Sequence, residues 1–256
     1  MIEGRDPEFM TPATPAPPTI HEDDALIVVA KPAGMPTANA PRGATSVFSL
    51  VQAARPRGAF LGVVSRLDAP VSGVLVFAKT KAAAAALAEQ FREHAVAKEY
   101  VAIVAGRFPA PLGEWVEWHD LIERHAEDEA AGAAAGPPRA AHVRARVVRR
   151  AGEVSLVELM PSTGRRHQLR VQLSRRGCPI VGDRRYGARL PFPEGIALHA
   201  ARLGFVHPAT GLPCTCEAPL PAGWSRQFPS LFTKPGGKLA EAARGERPRR
   251  SGRRTR

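Results

Sequence analysis

Apolar runs and alternations divide the chain into short strands and four helical stretches. Ala25 to Ala30 is an apolar run behind the polar His21-Glu22-Asp23-Asp24 and reads as a strand. Lys31-Pro32-Ala33-Gly34-Met35-Pro36 ends it, because proline cannot continue a ladder and glycine frees the backbone. Thr45 can cap a short helix through Ala54. Two further runs, Leu61 to Val64 and Val74 to Ala78, read as buried strands. They bracket the nine residues Arg66-Leu67-Asp68-Ala69-Pro70-Val71-Ser72-Gly73-Val74. From Thr80 to His94, Ala83, Leu87 and Phe91 recur at helical spacing behind a threonine cap, which predicts an amphipathic helix. In Lys98 to Gly106, residues 101, 103 and 105 share one strand face and Tyr100 takes the other.

The second half continues the pattern. His119 to Ala141 holds Glu127-Asp128-Glu129 and the small residues Ala130 to Gly136, and reads as a surface excursion. His142 to Arg150 alternates apolar and basic positions and pairs as a hairpin with Ser155 to Met160. Ser162 to Leu173 predicts a helix capped by Ser162 or Thr163, with Leu169 and Leu173 inward and His167 and Arg170 sharing another face. Ile196 to Val206 and Pro213 to Ala218 are further strands, and Trp224 to Phe232 a closing helix. Strands and helices mix without a βαβ repeat, and short turns join neighbours. The expected class is α+β, a mixed and mainly antiparallel β-sheet flanked by helices and loops.

Composition then narrows the partner. The 36 basic and 24 acidic residues leave a net charge of +12, which favours a polyanion. Residues 1–9 resemble a vector-derived leader, with the protease-site-like Ile2-Glu3-Gly4-Arg5, and 10–20 form a proline-rich lead-in. The folded domain is expected over 21–233. A basic tail over 234–256 is expected to be disordered. Cys178, Cys214 and Cys216 fit neither a zinc site nor a disulfide framework, which suits a reducing cytoplasm. No apolar run reaches the roughly 18 residues that span a bilayer.

A carboxylate beside an arginine, a proline and a glycine at the mouth of two apolar strands is costly to place, and such loops are where catalytic groups sit. Asp68 is therefore the candidate nucleophile. Further blocks carry chemistry: Lys98-Glu99-Tyr100, the run Thr163-Gly164-Arg165-Arg166-His167-Gln168-Leu169-Arg170, and Pro179-Ile180-Val181-Gly182-Asp183 with Tyr186-Gly187. Arg144, Arg146, Arg165, Arg166, Arg175 and Arg176 are candidates for a phosphate-binding face.

Taken with Lys31-Pro32-Ala33-Gly34, Leu198-His199-Ala200 and His207-Pro208, these ordered blocks resemble the RluA-type pseudouridine synthases over roughly residues 21 to 224. Ser65-Arg66-Leu67-Asp68 with Ser72-Gly73 looks like the catalytic loop of that family. Ser65 stands where the family usually has histidine, and Val71 where it usually has threonine. The resemblance implies isomerisation of a uridine in ribosomal or transfer RNA to pseudouridine, with no cofactor and no metal, by a catalytic domain of two halves around a central cleft without the N-terminal RNA-binding module of some relatives. Nothing in the sequence points to an obligate oligomer, so a cytoplasmic monomer is expected. The resemblance also implies Asp68 as the essential carboxylate at ribose C1′, by attack there or by abstraction of the 2′ proton to give a glycal, Tyr100 stacking on the uracil, Arg66 filling the space of the extruded base, and Arg170 pairing with Asp68. It gives Asp183 the part of a turn residue bracing its loop. Two other readings stay open: an RNA-binding protein without catalysis that acts in RNA folding or ribosome assembly, and a DNA-binding protein with a basic tail.

Overall fold

The computed structural model describes residues 15–41, 43–123 and 137–233, so the expected leader and basic tail lie outside the described residues. The strands are β1 (Thr19–Glu22), β2 (Leu26–Lys31), β3 (Gly62–Val63), β4 (Ser72–Ala78), β5 (Ala97–Ala105), β6 (Trp115–Ile122), β7 (Arg139–Ala151), β8 (Val154–Pro161), β9 (Leu198–Val206) and β10 (Pro213–Glu217). The helices are α1 (Val47–Ala53), α2 (Lys81–Arg92), α3 (Gln168–Arg175), α4 (Ala222–Gln227) and α5 (Pro229–Phe232). All strands join one sheet in the order β1-β2-β4-β9-β5-β8-β7-β6, with β10 on β9 and β3 on β4. Every pairing is antiparallel except β4 with β9, so the α+β, mainly antiparallel reading holds.

That single parallel junction positions the site. Ser72 lies beside His199 and Gly73 beside Ala200. A side chain on Gly73 would put Cβ 2.2 Å from the Ala200 carbonyl oxygen, and Gly73 sits at φ +124°. Only glycine fits such a position. A buried pair stitches the same junction: His199 Nε2 lies 3.2 Å from the Ala218 carbonyl and Nδ1 lies 2.8 Å from Ser72 Oγ. The carbonyl can only accept, so Nε2 carries the proton and Ser72 donates to Nδ1.

One apolar cluster fills the space between β5, β7, β8 and α3, with Ile103, Val147, Leu156, Leu159 and Leu173 at its centre. A second packs α2, through Ala83 and Leu87, on β2 and β4. Thr80 caps α2 by accepting the Ala83 amide at 3.1 Å, as its sequence predicts. A third seats α1 on the opposite face of β2 and β4 through Val47, Val51 and Phe77. Its cap is Ser46, in a reciprocal capping box with Ser49, one residue beyond the expected Thr45.

Several expectations are corrected. The lead-in is partly structured: Pro17 is buried and Thr19–Glu22 pairs with β2. The strand expected over 61–64 shrinks to two residues, because Val63 faces outward. The expected excursion from His119 is strand β6 as far as Ile122 and strand β7 from Arg139, with 124–136 outside the described residues. Phe228 splits the closing helix in two. Helix α3 begins at Gln168, not at Ser162 or Thr163. The Thr163 hydroxyl accepts the His142 amide of β7 (2.9 Å) and donates to Gln168 Oε1 (2.8 Å), so it ties a loop to the sheet. His167 takes the N-cap position in a left-handed conformation, φ 53°, with no side-chain cap.

Candidate active site

The loop from Ser65 to Val71 leaves β3 and enters β4, and core groups hold its backbone. Thr37 Oγ1 donates to the Leu67 carbonyl (2.9 Å) and accepts the Leu67 amide (3.1 Å). The Val71 amide closes a turn on the Asp68 carbonyl at 3.0 Å, and the Ile196 amide donates to the Pro70 carbonyl at 3.2 Å. Lys31, only 2% exposed, donates Nζ to the carbonyls of Pro32 (2.8 Å), Ala69 (3.0 Å) and Val71 (2.6 Å). Burial pushes its ammonium down to about 7, against the attraction of Asp68. The two residues that depart from the family pattern fit this frame: Val71 is core-buried at 3% exposure, and Ser65 is half-buried.

So anchored, the loop turns Asp68 into a cleft of about 960 Å³. Arg66, Tyr100 and Arg170 line the same cleft, so all four expected site residues meet. Asp68 Oδ2 lies 3.2 Å from Arg170 Nη1 and 3.6 Å from His167 Nε2. His167 Nδ1 lies 2.8 Å from the Tyr186 hydroxyl, whose ring also sits 4.9 Å beneath the Arg170 guanidinium. Arg66 is exposed and pairs with no carboxylate among the described residues. It is thus available to a ligand and is not neutralised by Asp68.

Asp183 does more than brace a turn. It is 1% exposed and grips Arg170 with both oxygens, Nε to Oδ2 at 2.7 Å and Nη2 to Oδ1 at 2.9 Å. Burial works against the Arg170 charge, but the hydrogen bonds and charge of Asp183, then of Asp68, outweigh it and raise the pKa. Tyr100 is half-buried; burial, then the negative charge of Asp68, raises its phenol pKa well above the usual tyrosine value. Thr37 is the support that motif reading passed over; Lys31 and Asp183 stood in recognised blocks, but their contacts with the loop and with Arg170 did not show there.

The expected phosphate face divides. Arg165 and Arg166 line the cleft, with Arg66, Lys98, Arg139 and Arg185. Arg144 pairs with Glu117, Arg146 with Glu158 and Arg176 with Asp120, while Arg175 donates to the Leu121 carbonyl. These four belong to the scaffold.

Among the described residues, His21, Asp23 and His207 bring possible metal-ligating atoms within 4.8 Å. Their hydrogen bonding is of the wrong sense for a metal. His207 Nδ1 accepts the amides of Ala209 (3.3 Å) and Thr210 (3.2 Å), so Nε2 carries the proton and donates to Asp23 Oδ2 at 2.8 Å. A ligating Nε2 would need its proton on Nδ1, facing two donors. The trio is a hydrogen-bonded latch between β1 and β9.

The cleft thus brings a carboxylate held by an arginine beside an aromatic ring and under a rim of cations. Residues 25–175 match the RNA pseudouridylate synthase family, and the chain belongs to it. It is an RluA-type pseudouridine synthase, an isomerase of uridine in RNA. It is 36% identical over 247 residues to ribosomal large subunit pseudouridine synthase D of Xanthomonas campestris pv. campestris, covering 88% of this chain and 72% of that protein. It is 34% identical to ribosomal large subunit pseudouridine synthase C of Escherichia coli K12, covering 90% and 74%. The structure of human RNA pseudouridylate synthase domain containing 4 superposes with a TM-score of 0.66 at 25% identity, covering 84% of this chain and 93% of that one. Among the described residues no helix is long and apolar enough to cross a membrane.

Proposed function

We propose that the protein isomerises a uridine of large-subunit ribosomal RNA, with Asp68 as the nucleophile at ribose C1′. The observation that carries this is the chain Asp68–Arg170–Asp183, which holds an accessible carboxylate in the cleft beside Tyr100. The names of the two curated relatives supply the RNA.

The target nucleotide leaves its stack, at a cost of a few kcal/mol, and its uracil lies on Tyr100, where stacking returns about 1–3 kcal/mol. Arg66, unpaired at the rim, fills the space left in the RNA. The Asp68 carboxylate attacks C1′; the C1′–N1 bond breaks and its electron pair leaves on uracil N1. The positive charge developing on the sugar faces a carboxylate, as in glycoside hydrolysis. Arg170 orients the Asp68 carboxylate, its Nη1 3.2 Å from Oδ2. The uracil turns, C5 attacks C1′ and the carboxylate departs. The C5 proton is then lost and N1 gains one.

All these groups come from one chain, so the reading takes a monomer as the working unit, acting in the cytoplasm where ribosomal RNA is modified. Release of tritium from C5-tritiated large-subunit ribosomal RNA tests it, since isomerisation must free the C5 hydrogen. Wild type is expected to release tritium, and Asp68→Ala to release none while still retaining RNA on a filter. Release by Asp68→Ala at the wild-type rate would remove Asp68 from the role.

A further inference from the structure

Behind the catalytic loop lies a second cavity, of about 370 Å³. That volume is in the range of about 300–1,000 Å³ typical of sites for small ligands. Arg66, Leu67, Lys98, Tyr100, Gly164 and Arg165 line both it and the main cleft, so the two are chambers on either side of one wall. The inner lining of the second chamber is apolar, with Val64, Phe91 and Leu203. Its mouth carries Arg92, at the end of α2 and paired with Glu89, and His94 just beyond it.

The shared wall itself points to an anion. Lys98 is half-buried and donates Nζ to the Thr163 carbonyl at 2.9 Å, with no carboxylate partner among the described residues. Burial, then the neighbouring Arg165, pushes its ammonium down to about 8. Arg165 itself is committed only to the Ala140 carbonyl, 2.9 Å from Nε. Two cations desolvated side by side are a preformed seat for a phosphate. A phosphate there would stand between the chambers, with one side facing Tyr100 and the other facing Phe91.

We propose that the second chamber is a nucleotide subsite: it receives the RNA residue adjacent to the target uridine, its base against Phe91 and Leu203 and the linking phosphate against Lys98 and Arg165. An apolar floor with a cationic wall suits a base joined to a phosphate; a bare anion would leave the floor unused, and an uncharged ligand would leave the cations unpaired. Continuity with the target's chamber selects a neighbour in the same strand. The chemistry gives it a reason to be there, because extruding one base takes a stacking partner from the next. The proposal rests on the cleft being the RNA site, and makes the enzyme a reader of two consecutive nucleotides.

The test needs no turnover. Uridine 5′-monophosphate and the dinucleotide pUpU are titrated into the whole protein and followed by NMR shifts. Wild type should bind pUpU at least ten-fold more tightly than the mononucleotide. Arg92→Glu, on an exposed side chain, and Phe91→Ser should each remove most of that gain and leave mononucleotide affinity unchanged. A dinucleotide whose second residue is abasic should lose the gain on wild type as well, which decides the matter if Phe91→Ser does not fold. Equal affinity for the two ligands on wild type, or a gain that survives both Arg92→Glu and the abasic residue, overturns the subsite. The outcome is separate from that of the tritium assay: a gain abolished by these changes stands even if Asp68→Ala proves active, and a failed gain leaves the Asp68 result untouched.

Discussion

Arg170 serves two carboxylates at once, and that decides how the site responds to single changes. Its Nε and Nη2 are spent on Asp183, leaving Nη1 for Asp68. Asp183→Ala would leave a 5%-exposed guanidinium with one partially exposed acid as its remaining carboxylate partner. Breaking such a buried pair costs about 3–5 kcal/mol. The melting temperature should fall by on the order of 10 °C, and tritium release should fall with it, since Asp68 loses its orienting partner. A variant that melts and turns over like wild type would reduce Asp183 to a loop residue. At this scale the sequence was most informative about the groups proposed to touch the substrate: Asp68, Arg66, Tyr100 and Arg170 stand in recognisable blocks. Their supports were hidden because a support is defined by contact. Lys31 acts across 38 and 40 residues and Thr37 across 30, and nothing local to either marks its target.

At the scale of elements, the joint between β4 and β9 is the vulnerable one. Only two residue pairs form it, and it carries the catalytic loop. His199 is 2% exposed, and burial pushes its pKa down to about 4, against the Ala218 carbonyl that favours the charged form. An unfolded histidine titrates near 6.5. The folded value is the lower, so the unfolded chain binds the proton first as pH falls. Stability is therefore fully present above about pH 6.5 and drains away as the pH drops through 4, by about 3 kcal/mol in all. Urea unfolding at pH 7, 5.5 and 4 should show this slope in wild type and a flatter one in His199→Asn, whose amide oxygen can still accept from Ser72. Equal slopes would show that other groups govern acid sensitivity. Elements with strong local signals, such as Thr80-capped α2, lie where periodicity predicts. Helix α3 does not start where its hydroxyls suggest, because β7 offers Thr163 a better partner than the helix amides do.

Across the described residues, positive charge is sorted by place. Besides Arg170, six cations line the cleft, Arg66, Lys98, Arg139, Arg165, Arg166 and Arg185, whereas Arg144 and Arg146 on the outer face of β6, β7 and β8 lie against Glu117 and Glu158. Among the described residues, the salt dependence of RNA affinity should then come from the cleft. If all six meet phosphate, log Kobs should fall with log salt at a slope on the order of −4, at about −0.7 for each phosphate of a single strand. Replacing Arg139 and Arg166 by Gln should make that slope shallower by about 1.4, and replacing Arg144 should leave it unchanged. A slope altered by Arg144→Gln and not by the cleft pair would move the RNA to the opposite face.

The nine residues around Asp68, the blocks at Tyr100 and Arg170 and the α+β pattern were determined by the sequence, because strand alternation, helical spacing and a fixed chemical group are local properties. Which arginine binds, which one braces, and which lysine holds the loop were decided only by tertiary structure. A charged side chain takes its role from the nearest opposite charge and from its burial, and for Asp68 and Arg170 that partner lies 102 residues away along the chain.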